Sequence, residues 1–319
     1  MSVPTPSDPN QSDEPRLPAR QRSRWPWIAA AAAVVVAAGV TIAITTGGDE
    51  GGDDKAQTVR IGVVDASQPY WKTYTDLAAK QLNVTVTLVN FTDYSQPNPA
   101  LRQNQIDLNQ FQHIQYLADY NVTAKDDLQP IGATAVYPLP LYSLKYKSPA
   151  ELPANAKVAI PNDAINQARG LLILQSAGLI TLKNGGSAFS GTADIETKKV
   201  DVVALDASQT AGALQSGSVA AAIVNNNYAT SAKLPQTAVV FKDDPASTSA
   251  APYVNIFVAR AADKDNVTYL KLAELYHDPA VEKGVQEANA GAAVLRTVPP
   301  AELQSLLKTV QDQAVAAGK

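Results

Sequence analysis

The sequence predicts an α/β protein of two lobes, preceded by one transmembrane helix. Three observations lead to this prediction. From residue 57 onward, short β-branched apolar runs alternate with segments of helical spacing, and the alternation restarts after a proline-containing extended stretch. Near the N-terminus, a long uncharged apolar run follows a basic segment. With 319 residues and 45% hydrophobic content, the chain is long enough for two domains of ordinary size.

The first 56 residues predict a membrane anchor with polar flanks. Residues 1–24 are rich in Pro, Ser, Gln and charge, so we expect a disordered cytoplasmic segment. Residues 25–46 contain an uncharged stretch about as long as a membrane helix requires. Arginines before it and acidic residues after it place the N-terminus in the cytoplasm. Residues 47–56, rich in Gly and Asp, predict a flexible tether.

Two other readings of the apolar run are possible. A cleaved signal peptide would have a shorter apolar core followed by a small-residue cleavage site. A buried core helix would not be expected between an arginine-rich segment and a glycine-rich one. The sequence therefore favours an uncleaved anchor, with the rest of the chain outside the cytoplasm.

The first lobe begins with three strand and helix pairs. The expected strands are residues 59–65, 84–91 and 106–111, and the expected helices are residues 70–82, 98–105 and 113–120. This order favours a mainly parallel sheet. Ligands of open α/β sheets lie beyond the carboxyl ends of the strands, so Phe111 and His113 are candidate site residues.

An extended stretch, ATAVYPLPLYS, follows and predicts a crossing to a second lobe, because its prolines disfavour a helix. The pattern then restarts, with a helix expected to end before Gly178. After about residue 240 a strand and three helices return to the first lobe. We assign residues 57–138 and 241–319 to lobe 1 and residues 139–240 to lobe 2.

Composition and motifs argue against several classes of function. The net charge of -4 makes a nucleic-acid partner unfavourable, and the lack of cysteine excludes disulfides and cysteine-based zinc sites. The chain contains no G-x-S-x-G, H-E-x-x-H or P-loop motif. We therefore expect no enzyme activity, no metal and no cofactor. An enzyme on the same fold stays an alternative, because carboxylates from distant positions can converge.

Arg169 is the candidate group for binding a carboxylate. We expect it in the first turn of a helix that follows a strand. There its guanidinium would act together with free backbone N–H groups and the positive end of the helix dipole. The alternative is an arginine exposed to solvent.

Amide and aromatic side chains supply the other candidates. The segment VNNNY places three asparagines, among them Asn225 and Asn227, at the end of a strand, and Asn255 interrupts an apolar strand. A buried amide costs free energy unless it is paired, either within the protein or with a ligand. Phe111, His113 and Tyr116 can form an aromatic wall, although a lone histidine is more often structural. Together these residues predict a pocket for a small amphipathic zwitterion.

Six segments resemble a known family, in family order and across residues 57–295: FTDYSQPNPAL, FQHIQYL, VYPLPLYS, KVAIPNDAINQARGLLILQSAGLI, VNNNYA and PYVNIFVAR. The chain resembles the NlpA/MetQ type of methionine-binding lipoprotein, the solute-binding proteins of ABC importers. The resemblance implies a two-lobe, periplasmic-binding-protein-like fold of type II that closes on an amino acid, with methionine as the leading ligand. It also implies an ABC permease and its ATPase as partners.

The resemblance assigns a role to each candidate residue. Arg169 would hold the α-carboxylate, and Asn225 or Asn227, with Asn255, would bind the amino and carboxylate groups. The side chain would be enclosed by aromatic rings: Tyr94, Phe111, His113, Tyr116 and Tyr137.

The chain departs from the family pattern in three places. It lacks the cysteine to which a lipid is attached, so the membrane helix would replace the lipid as anchor. Gln167 and Ala168 stand where many relatives have two glycines. The segment DASQPYW is bulkier than usual, and its Gln68, Tyr70 or Trp71 could reshape the pocket. A ligand-sensing ectodomain, and a binding protein for another amino acid or a short peptide, stay as alternatives.

Overall fold

The computed structural model describes Met1 and residues 56–319. The expected cytoplasmic segment, anchor and tether therefore lie outside the described residues, except for Met1 and Ala56. Within the described part of the chain, no helix combines the length and the apolar character that crossing a membrane requires.

Strands and helices alternate along most of the described chain. The strands are β1 (Gln57–Val63), β2 (Val84–Asn90), β3 (Leu108–His113), β4 (Gln129–Val136), β5 (Pro140–Tyr142), β6 (Lys157–Pro161), β7 (Ile180–Leu182), β8 (Ile195–Lys198), β9 (Asp201–Leu205), β10 (Ala221–Ile223), β11 (Val239–Lys242), β12 (Val254–Ala259) and β13 (Val294–Leu295). The α-helices are α1 (Pro69–Leu82), α2 (Pro97–Arg102), α3 (Ile114–Ala124), α4 (Ala164–Ser176), α5 (Ala207–Gln215), α6 (Asn226–Ser231), α7 (Val267–Leu275), α8 (Pro279–Ala288) and α9 (Pro300–Ala316).

The strands form two large sheets and one small hairpin. The six-stranded sheet has the order β13-β4-β12-β3-β1-β2, and the five-stranded sheet has the order β11-β5-β10-β6-β9. Strands β7 and β8 pair separately. The larger sheet takes strands from both ends of the described chain and the smaller one from its middle. This confirms the α/β prediction of two lobes, which we call the first and the second lobe.

Both sheets are mixed, so the expectation of a mainly parallel sheet is wrong. β1 pairs in parallel with β2 and β3, and β6 pairs in parallel with β9 and β10. The other pairs in the two sheets are antiparallel. The reason lies in the crossings: a chain that arrives from the other lobe enters its sheet at the end facing that lobe. Strands β5 and β12 therefore run against their neighbours.

The chain crosses between the lobes twice, from β4 to β5 and from β11 to β12. Strand β11 pairs with β5 as far as Lys242, so it continues two residues past the boundary expected at residue 240. Each lobe buries apolar side chains on both faces of its sheet, with clusters that include Trp71 and Leu307 in the first lobe and Leu171 and Leu214 in the second. Each sheet therefore forms a fixed platform, and residues after its strands can face the other lobe.

Candidate ligand-binding site

All nine residues predicted for the site line one pocket. Its walls come from both lobes and include residues near the ends of strands as well as residues of the neighbouring segments. The predicted residues in its lining are Tyr94, Phe111, His113, Tyr116, Tyr137, Arg169, Asn225, Asn227 and Asn255. The structure therefore brings them together, while their roles in binding stay predictions.

Arg169 lies in the second turn of α4, so the expectation of a first-turn position is wrong. Asp163 caps this helix, because its Oδ1 accepts the Asn166 N–H at 2.9 Å, and α4 begins at Ala164. The free N–H groups and the positive end of a helix dipole act within the first turn only. The guanidinium therefore does not act together with the free N–H groups or the positive end of the α4 dipole.

The guanidinium of Arg169 is buried and held in place by three groups. Its Nε donates to Asp243 Oδ2 at 2.8 Å, and its Nη2 donates to the Tyr137 carbonyl at 2.9 Å. Its Cζ lies 4.3 Å from the ring centroid of Tyr253. The side chain is only 7% exposed, which excludes the alternative of an arginine in bulk solvent. Among the described residues Nη1 has no hydrogen-bond acceptor, so this nitrogen is available to a ligand.

Two amides carry buried polar atoms that lack a partner in the described residues. Asn225 Nδ2 donates to Asn166 Oδ1 at 2.9 Å, but Asn225 Oδ1 accepts nothing. Asn227 Oδ1 accepts from the Tyr94 hydroxyl, but Asn227 Nδ2 donates to nothing. A buried polar group without a partner costs about 1–3 kcal/mol. The pocket therefore offers one unfilled acceptor and one unfilled donor.

Aromatic rings form one wall of the pocket. The ring centroids of Tyr94, Phe111 and Tyr116 lie 5.9–6.2 Å from one another, a spacing typical of packed aromatic groups. Tyr137 lies apart from them, with its hydroxyl 3.5 Å from that of Tyr276. The wall can accept an apolar ligand group against the three rings.

His113 has a structural task as well as a place in the lining. It caps α3, because its Nδ1 accepts the Tyr116 N–H at 3.1 Å. The ring proton therefore lies on Nε2. Burial, and next the positive charge of Arg169, lower the pKa of His113 to about 3. The histidine is neutral at physiological pH and offers an N–H donor.

Asn255 lies beside His113, because the two residues are partners in the register of β12 and β3. Its Nδ2 lies 3.4 Å from the Tyr253 carbonyl, a long hydrogen bond. The amide is partly buried and lines the pocket. It therefore keeps capacity for a polar ligand group.

Three consecutive residues of the second lobe contact the first lobe at the edge of the pocket. Asn226 donates to Asn289 Oδ1, Asn227 accepts from Tyr94, and the Tyr228 hydroxyl donates to the Thr92 carbonyl at 3.0 Å. These bonds join helix α6 to the first lobe. They hold the lobes together in the arrangement that encloses the pocket.

Replacing Tyr228 by phenylalanine tests this contact. The variant keeps the ring that packs 5.2 Å from Tyr94 and loses only the hydrogen bond to Thr92. We expect a ligand of the pocket to bind roughly 2- to 10-fold more weakly, as for the loss of one hydrogen bond. The dissociation rate should account for most of the change. Stopped-flow fluorescence measures both rates, and an unchanged dissociation rate would contradict the contact's role.

Several residues of the site were not predicted from the sequence. Asn166 lines the pocket and positions Asn225, while Asp243 and Tyr253 lie behind the lining and hold Arg169. They are ordinary polar and aromatic residues in sequence, and only the fold brings them to the site. Of the bulky segment, Gln68 and Tyr70 line the pocket, whereas Trp71 is fully buried in the core.

The described residues also bear on metal binding. Across residues 56–319, no group of three or more His, Cys, Asp or Glu side chains is placed to hold a metal ion. The pocket lining combines one guanidinium, one carboxyl group, several amides and aromatic rings.

Comparison with known proteins gives one family. The model of the NlpA lipoprotein family matches residues 59–296. A D-methionine-binding lipoprotein MetQ of Salmonella typhi is 36% identical over 240 residues, which is 74% of this chain and 87% of that protein.

Solved structures agree with the sequence comparison. The substrate-binding protein of a methionine transporter from Streptococcus pneumoniae has a TM-score of 0.69 and 35% identity, covering 75% of this chain and 95% of that one. A nutrient-binding protein from Burkholderia cenocepacia, solved bound to methionine, has a TM-score of 0.69 and 33% identity, covering 74% and 99%.

Proposed function

Because this chain belongs to the NlpA lipoprotein family, we propose that it is the extracytoplasmic solute-binding protein of an ABC importer and that it captures methionine. The observation that carries this proposal is a pocket that combines one buried guanidinium, two unpartnered amide atoms and an aromatic wall. That set matches a small zwitterion with an apolar tail. Catalysis is not part of the proposal, since proteins similar to this chain are substrate-binding proteins of transporters.

Each group of a bound methionine has a partner in this assignment. The α-carboxylate accepts from Arg169 Nη1 and Asn227 Nδ2, and the ammonium group donates to Asn225 Oδ1. Asn255 supplies a further polar contact beside His113. The thioether tail packs on Tyr94, Phe111 and Tyr116, and Tyr137 closes the pocket from another side. Micromolar affinity requires about 8 kcal/mol, which one charged pair, several hydrogen bonds and a buried thioether can supply.

The arrangement of the chain follows from the same proposal. The sequence assigns residues 57–138 and 241–319 to lobe 1 and residues 139–240 to lobe 2. We propose the same division with the second boundary after Lys242, where β11 ends. The lobes close on the ligand, and the closed protein docks on a permease whose ATPase supplies the energy. Residues 25–46 anchor the protein as a single-pass membrane helix, since the chain has no cysteine to carry a lipid.

Two measurements test the ligand assignment. Native mass spectrometry of residues 56–319, as purified, looks for a retained amino acid. The protein is then unfolded to release any bound ligand and refolded. Isothermal titration calorimetry of this ligand-free protein compares the affinities for L-methionine, D-methionine, leucine and short peptides. We expect micromolar or tighter binding of methionine. Tighter binding of another amino acid or of a peptide would overturn the choice of methionine, and binding of none would overturn the proposed function.

A further inference from the structure

The pocket lining contains a second charged residue that the proposed contacts leave unused. Among the described residues that line the pocket, Arg169 carries the one guanidinium and Asp65 the one carboxyl group, while His113 is neutral. Arg169 already has a carboxylate partner, because Asp243 Oδ2 lies 2.7 Å from its Nη2. Asp65 has no cationic partner within the described residues. The pocket therefore carries one carboxylate whose charge is not balanced by the protein.

The carboxylate of Asp65 is held in a fixed orientation. Its Oδ1 accepts from Trp71 Nε1 at 2.8 Å, and its Oδ2 accepts from the Tyr70 hydroxyl. Both donors lie at the start of α1, and both rings pack into the core of the first lobe. Each oxygen keeps an unused lone pair, because a carboxylate oxygen can accept two hydrogen bonds. Asp65 is therefore oriented like a binding group and retains capacity for further donors.

An unbalanced carboxylate in this position is costly for the empty protein. Burial raises the pKa of Asp65, and the hydrogen bonds from Tyr70 and Trp71 offset this only in part. Removing a charge from water is unfavourable unless a partner of opposite charge is present. A cationic ligand group that reaches Asp65 would supply that partner and recover this cost on binding.

We propose that Asp65 binds the ammonium group of the ligand and makes a primary amine a requirement for tight binding. This inference rests on the proposed function and extends it. An ammonium group has three N–H donors, so it can contact Asp65 as well as Asn225 Oδ1. Asp65 belongs to the first lobe and Arg169 to the second. A zwitterion whose carboxylate contacts Arg169 and whose ammonium group contacts Asp65 therefore connects the two lobes.

The test compares methionine with its des-amino analogue, in which hydrogen replaces the ammonium group, on the wild-type protein and on Asp65→Asn. For the wild type we expect the analogue to bind roughly 10- to 100-fold more weakly, as for the loss of a hydrogen bond to a charged group. The variant should lose a similar factor for methionine and little for the analogue. Calorimetry of all four combinations of protein and ligand gives the coupling free energy between the Asp65 carboxylate and the ligand amine.

A matched control is Asp107→Asn. Asp107 is also a partly buried carboxylate of the first lobe, but it pairs with Arg60 and does not line the pocket. Its replacement should leave both affinities unchanged. Thermal melts of the variants report whether each one folds.

The outcomes separate this inference from the proposed function. Equal losses for methionine and the analogue in Asp65→Asn would overturn the inference and give Asp65 a structural role. Equal affinities of wild-type protein for the two ligands would also overturn it, and this result needs no variant. Failure of the wild type to bind methionine would instead overturn the proposed function.

Discussion

Replacing Arg169 by alanine will weaken methionine binding by about 2–5 kcal/mol, the cost of truncating one partner of a buried charged pair. The substitution removes the one cation among the described residues that line the pocket, and it leaves the ligand carboxylate without a charged donor. It also removes the partner of Asp243 and the donor to the Tyr137 carbonyl. Isothermal titration calorimetry measures the affinity, and thermal denaturation measures the accompanying loss of stability.

Arg260→Ala is the matched control for that loss of stability. Arg260 is also a partly buried arginine that pairs with an aspartate, here Asp263, and donates to two backbone carbonyls. It does not line the pocket. We expect Arg260→Ala to lower the melting temperature and leave the affinity unchanged. Unchanged affinity in Arg169→Ala would refute the assignment of this residue to the carboxylate.

Replacing His113 by asparagine will make the protein less sensitive to mild acid. The pKa of His113 is about 3 in the folded protein and near 6.5 in an unfolded chain, so only the unfolded state takes up a proton between these values. Stability therefore falls as pH is lowered below about 6.5, and it continues to fall until about pH 3. Between pH 7 and pH 5, protonation of this histidine in the unfolded state alone lowers the free energy of unfolding by roughly 2 kcal/mol.

Asparagine is a suitable replacement because it does not titrate and is a preferred residue at helix N-termini. It can still accept the Tyr116 N–H that His113 accepts now. Urea denaturation at pH 7 and pH 5 gives the free energy of unfolding for both proteins. The other histidine, His277, and all carboxylates are common to both, so their contributions cancel in the difference. An equal decrease in the two proteins would contradict a buried, neutral His113.

Much of the fold follows from local pattern. The helix expected to end before Gly178 ends at Ser176, with Gly178 at a φ of +71°, a conformation that glycine adopts without strain. Strand β11 and helix α6 were not expected as elements, because both are short and neither has a clear periodicity. Strand direction in the sheets depends on where the chain re-enters each lobe, which no local pattern encodes.

The sequence by itself determined which residue types could bind a zwitterion. It placed Phe111, His113, Arg169, Asn225 and Asn227 at or after the ends of strands, where ligands of α/β sheets lie, and Asn255 inside a strand. Only the tertiary structure decided how these residues are paired. Arg169 and Asp243 are 74 positions apart, Asn166 and Asn225 are 59 apart, and Tyr94 and Asn227 are 133 apart. Hydrogen bonds act over about 3 Å, so a side chain's partner depends on which segments the fold brings into contact. For the same reason Asp65, read along the chain only as the last residue of an expected strand, becomes the unbalanced carboxylate of the pocket only in three dimensions.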